Sequence, residues 1–172
     1  GAGREAGEAG GRGVSRGVVR ACTTAAIAFQ NGASQITLVA EVEEALELQR
    51  RGIGDVLMGE VGGARPEGFD YGNSPFEIAE VDFTGKSIVQ STRAGTVGVA
   101  AAGKADVIYL GSLAVAEATV KAILIENPPL VSIIAMGDQG AVRSDEDEQC
   151  GLYLRNLLEG RRPDPEAVRS LI

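Results

Sequence analysis

ITLVAEVEEALELQRRGIGDVLM, Ile36 to Met58, decides the fold class. Ile36-Thr37-Leu38-Val39 is a short apolar run rich in β-branched residues, the composition of a half-buried or buried strand. From Glu41 to Arg51 the period changes. Val42, Ala45 and Leu46 share one helical face, and Gly52 stands just past the end as a stop. Asp55 to Met58 reads as strand again. Strand, helix and strand in so short a span form a βαβ pattern, which places the two strands parallel with a helix crossing over.

The alternation continues in both directions. A helix from about Thr23 ends at Asn31-Gly32, two residues that tolerate the left-handed conformation of a helix stop. A short helix is expected near 75–79, strands at 87–90, 106–110 and 130–135, and helices near 96–102, 113–125 and 145–159. The last of these puts Cys150, Tyr153, Leu154, Leu157 and Leu158 on one face, which must be covered. Residues 1–17, Gly- and Arg-rich without periodicity, read as a mobile arm or as a segment ordered only by neighbours. The expected architecture is a single three-layer α/β/α domain over 1–172, with a mainly parallel sheet.

With 172 residues, 44% of them hydrophobic and only 4% aromatic, the core must be aliphatic. A net charge of −8 argues against a nucleic-acid partner, whose phosphates need a basic patch. No apolar run approaches the roughly 20 residues that span a bilayer, and no signal-peptide core is present, so the expectation is no membrane and a cytoplasmic location. Cys22 and Cys150 are too few for a disulfide framework and read as reduced thiols. The absence of histidine removes His-based triads and most catalytic zinc sites, leaving carboxylates, hydroxyls, thiols and backbone for chemistry.

Several motifs lead nowhere. Gly85-Lys86-Ser87 ends like a phosphate loop, but Glu80 stands where the first glycine is needed and a strand follows. Gly1, Gly3 and Gly7 miss the dinucleotide spacing, and Cys22 has Ala28 rather than arginine six residues on. Other stretches point to anions. In GFDYGNSPFEI, Gly68 to Ile78, Gly72 can take a positive φ, Ser74 can cap a helix and Pro75 suits its first position. Arg20-Ala21-Cys22-Thr23-Thr24 opens a helix, and Ser91-Thr92-Arg93-Ala94-Gly95-Thr96 repeats the arrangement after another strand. Glu60 ends a third strand. Ser144-Asp145-Glu146-Asp147-Glu148 fits a capping box, yet its four acids exceed what capping needs and can hold Mg²⁺.

VVRACTTAAIAFQNGA, GEVGGARPEGFDYGNSP, STRAGT and SDEDEQC, in this order, resemble the 2-phosphosulfolactate phosphatase family over about residues 17–160. The resemblance implies an α/β fold and an Mg²⁺-dependent acid phosphatase that hydrolyses phosphosulfolactate to sulfolactate and phosphate, a step of coenzyme M synthesis. Its partner is then a small phosphorylated sulfonate, with a homo-oligomer left open. Carried onto this chain, Arg20 and Arg93 become anion clamps. Thr23, Thr24, Asn73, Ser74 and Thr96 become supporting donors beside Gly72, and Glu60, Glu146 and Asp147 bind metal or activate water. Two departures stand out: the chain looks shortened at both ends, and Gly17 occupies the place of an Asp that closes a family strand. The alternative is a noncatalytic anion-binding or assembly homologue lacking that Asp.

Overall fold

The computed structural model describes residues 12–15, 19–92, 96, 99, 102, 105–137 and 142–170. The chain divides into two compact units, one of Arg20–Thr96 and one of Gly1–Val19 with Val97–Ile172.

The middle unit contains helix α1 (Val19–Gln30, all but its first residue), strand β2 (Gln35–Val39), helix α2 (Val42–Arg50), strand β3 (Val56–Gly59) and strand β4 (Ser87–Ser91). The strands form a parallel sheet in the order β2-β4-β3, so β4 is central. Because strand side chains alternate between faces, the sheet has two apolar surfaces. On one, Val39, Leu57 and Val89 pack with Ala45 and Leu46 of α2 and with Phe69. On the other, Ile36, Met58 and Ile88 pack with Ile27 and Ala28 of α1 and with Ile78 and Phe83. Helix, sheet and helix make this unit a three-layer sandwich, and its aliphatic core follows from the composition.

The first and last parts of the chain supply the other unit. Strand β1 (Arg12–Ser15) lies between β5 (Ile108–Leu110) and β6 (Val131–Ile134), parallel to both. A 3₁₀ turn over Leu113–Val115 leads into α3 (Ala116–Glu126), which packs on α4 (Asp145–Leu158) through Ala116, Val120, Tyr153, Leu154 and Leu157. The covered face of α4 is the one its spacing requires. Helix α5 (Pro165–Arg169) adds Val168 to this cluster.

The α/β class and parallel pairing are as expected, but the strands expected in one sheet fall, among the described residues, into two three-stranded sheets. Residues 12–15 follow the second of the two expectations for this stretch: they are a central strand ordered by its neighbours β5 and β6. Three local readings are corrected: the helix at 75–79, its Ser74 cap and the Gly72 conformation. Residues 75–80 form turns and not a helix, because Asn31 Nδ2 donates to the carbonyls of Ile78 (2.9 Å) and Ala79 (3.2 Å) and the local backbone bonds close over three residues. Ser74 therefore has no helix to cap. Gly72 does not take a positive φ; Gly68 does, at 81°. The small-residue helix near 96–102 lies mostly outside the described residues, although Thr96 and Val99 are helical.

Asp55 clips β3 to β4: its Oδ2 accepts from Ser87 N and Ser87 Oγ, both at 2.8 Å. These bonds, the backbone one foremost, hold the Asp55 carboxyl below its ordinary value of 3.8. A depressed folded value contributes stability above the unfolded pKa that is lost as pH falls through the folded one. Thermal unfolding of an Asp55→Asn variant should thus fall less steeply than wild type below about pH 4. Parallel acid profiles for the two proteins would refute this clip.

Candidate active site

The site is built around a glutamine in the central strand. Gln90 lies two residues beyond Ile88 and so points to the α1 face of the sheet. It is 1% exposed, a polar side chain buried next to Val89 and Ser91 in the central strand. Its Nε2 donates to the carbonyl of Ala21 in the first turn of α1 (3.2 Å) and to Asn73 Oδ1 in the loop after β3 (2.9 Å). Three distant segments of the sequence are joined through one amide. Gln90 Oε1 is buried without a hydrogen-bond partner among the described residues, a deficit of about 1–3 kcal/mol unless water or a ligand donates to it.

The loop carrying Asn73 is held along its length. It runs back beside edge strand β3, where Leu57 O accepts from Asp70 N and Tyr71 N, and Tyr71 O from Gly59 N. Asp70 Oδ2 accepts from Leu57 N at 2.8 Å, and Arg65 Nη1 donates to Asp70 O at 3.0 Å. Gly72 N donates to Glu77 Oε2 at 2.8 Å, and a Cβ on Gly72 would stand 2.7 Å from that oxygen, the far end of an exposed side chain. Phe69 is buried and Tyr71 meets Phe83 edge-on. A loop fixed this fully places Asn73 by design of its neighbours.

Of the residues the sequence singled out, Arg20 is the second residue of α1, with Thr23 half-buried and Thr24 fully buried one turn on. Asn73 and Ser74 are half-buried, and Glu60 is half-buried directly after β3 with Oε2 accepting from Gly63 N at 2.6 Å. Thr96 Oγ1 lies 2.6 Å from Thr92 O and 3.2 Å from Val39 O, so its proton serves the backbone. Arg93 and Gly17 lie outside the described residues.

Glu146 and Asp147 belong to α4, in the other unit. Ser144 Oγ accepts from Asp147 N at 3.4 Å as the N-cap, and Asp147, 3% exposed, accepts from Gly137 N at 2.7 Å through Oδ2. Glu148 makes a two-point contact with Arg143, which holds its carboxyl below the ordinary range. Glu146 is exposed. An Asp147→Ala variant should lose about 1–3 kcal/mol in denaturant unfolding, since Gly137 N–H is left buried without its acceptor. A change well below 1 kcal/mol would show that the contact is idle.

Among the described residues, no three acidic or cysteine side chains come together as a metal-binding group. Mg²⁺ needs fewer protein ligands, often one or two carboxylates with several waters. Glu60 fits that requirement at a strand end, with one oxygen bonded to the loop backbone.

A parallel α/β unit with polar groups gathered toward strand ends is the architecture of small-ligand sites. Similarity narrows the class: residues 17–169 match the family described as 2-phosphosulpholactate phosphatase. The chain belongs to this family. A probable 2-phosphosulfolactate phosphatase of Bacillus subtilis is 33% identical over 145 residues, covering 83% of this chain and 62% of the relative. Proteins of the same description from Deinococcus radiodurans and Caldicellulosiruptor saccharolyticus are each 34% identical, covering 82% and 86% of this chain and 59% and 62% of theirs. The chain thus spans about three fifths of the length of these curated relatives. The resemblance missed Gln90, for which the sequence signal was a glutamine inside Ile88-Val89-Gln90-Ser91.

Proposed function

We propose that this chain carries the phosphate-binding part of an Mg²⁺-dependent phosphatase acting on 2-phosphosulfolactate. The observation supporting it best is the Gln90 bridge, which ties the Asn73 loop to the first turn of α1, where Arg20, Thr23 and Thr24 reside. The substrate bears phosphate, sulfonate and carboxylate on a short carbon chain, so an acidic protein must gather its positive charge and N–H donors locally.

Arg20 and Arg93 neutralise phosphoryl oxygens as the ester bond to the sulfolactate oxygen breaks, and Asn73 donates to one of them. Ser74, Thr23 and Thr24 add shorter-range polar contacts. Glu60 would hold Mg²⁺, which supplies charge stabilisation and a more acidic bound water. No helix among the described residues is long and apolar enough to cross a membrane, in keeping with a cytoplasmic enzyme on a small polar substrate.

Inorganic phosphate released from 2-phosphosulfolactate tests this reading. Release with Mg²⁺ that stops on chelation is the expected result, and no release at any Mg²⁺ concentration by folded protein would overturn it. Gly17 favours a second reading, in which the chain binds the anion without hydrolysing it. In that case Gly17→Asp should raise Mg²⁺-dependent turnover, and an unchanged rate in a folded variant would remove Gly17 from the account.

A further inference from the structure

The geometry points to Gln90 as a positioning residue that fixes which end of the Asn73 amide meets the ligand, an inference that rests on the anion-site reading above. Ala21 O can only accept, so the Gln90 atom 3.2 Å away must be the NH₂ nitrogen. That nitrogen also faces Asn73 at 2.9 Å and can only donate, so the Asn73 atom there must be Oδ1. The other end of the Asn73 amide is therefore Nδ2, a pure donor, and Asn73 is half-buried rather than enclosed. A free asparagine turns either end outward at little cost. This one is set to offer N–H groups, which suit a phosphoryl or sulfonate oxygen and exclude a donor ligand.

Burial makes the setting firm. Gln90 is 1% exposed and sits in the central strand, paired in register with Leu38 and Met58, so it has no room to swing away. Turning its own amide over would set Oε1 against two acceptor oxygens, a repulsive arrangement. Its unpartnered Oε1 follows from the same constraint: the amide is oriented for Ala21 and Asn73 at the expense of that acceptor.

The test uses inorganic phosphate as the probe. In the unaltered protein, titration with phosphate should shift the Asn73 side-chain NH₂ resonances, and phosphate binding that leaves them unmoved would overturn the proposal without any variant. Gln90→Leu keeps the size and removes both the donor and the unpaired acceptor. Its phosphate affinity should fall about 10-fold or more, the worth of a hydrogen bond to a charged group. The same substitution on an Asn73→Ala background should weaken phosphate binding no further, because Gln90 acts through Asn73. Additive losses would instead mark Gln90 as a general structural residue and reject the inference. Phosphate binding that passes these tests without hydrolysis of phosphosulfolactate refutes the enzyme reading alone. Hydrolysis impaired by Asn73→Ala but untouched by Gln90→Leu refutes this inference alone.

Discussion

Replacing Phe83 with Ala should lower the unfolding free energy by about 3–5 kcal/mol, the range for truncating a buried phenylalanine. Phe83 is 1% exposed and fills the α1 side of the middle sheet with Met58, Ile78, Ile88, Ala28 and Ala33. Its ring also meets Tyr71 edge-on, with centroids 5.6 Å apart and planes at 83°. The cavity would thus open beneath the loop that leads to Asn73, and its backbone neighbours have little freedom to collapse, since Phe83 N is bonded to Asn31 O at 2.9 Å. Urea unfolding measures the effect. A loss below about 1 kcal/mol would mean that this cluster is not the keystone of the unit. Phosphate affinity should fall together with stability in this variant, because the two properties share one support.

Arg20→Ala should lower kcat on 2-phosphosulfolactate by about 10²–10³-fold while leaving the unfolding midpoint close to wild type. Arg20 is the second residue of α1, immediately before the Ala21 carbonyl to which Gln90 is bound. A guanidinium there adds charge and paired donors to the N–H groups of a helix start, and its contribution grows as phosphoryl charge develops. Arg20→Lys should recover only part of the rate, since an ammonium restores the charge without the planar pair of donors. Steady-state kinetics with phosphate detection reads both variants. Wild-type kcat in Arg20→Ala would remove this residue from the site.

The legible part of the fold was the part governed by period. Ile36–Val39, the Val42-Ala45-Leu46 face and the apolar face of α4 all show the spacing of their element, and each formed as that spacing requires. Strand β1 was illegible because Arg12-Gly13-Val14-Ser15 has neither alternation nor an apolar run; its two parallel neighbours, far along the chain, supply the pairing. The turns at 75–80 replaced an expected helix for a similar reason. Ser74-Pro75 carries the local start signal, but Asn31, distant in sequence, takes the carbonyls of Ile78 and Ala79.

The site was legible unevenly. Its loop was recognisable from Gly, Asn, Ser and Pro, yet the positive φ expected of Gly72 falls at Gly68 instead. Gln90 was invisible to motif reading because its meaning lies in two acceptors that only the folded chain brings to it. Asp147 and Glu148 look alike in sequence, but one accepts from a buried backbone N–H and the other pairs with Arg143.

The most direct measurement of the central claim is a crystal structure of the protein grown with Mg²⁺ and inorganic phosphate, the product of the proposed reaction. The account predicts phosphate with one oxygen within hydrogen-bond distance of Asn73 Nδ2, the Arg20 guanidinium against it, and Gln90 still bridging Ala21 O and Asn73 Oδ1. Phosphate bound elsewhere, or an Asn73 amide turned with Oδ1 toward the anion, would contradict it.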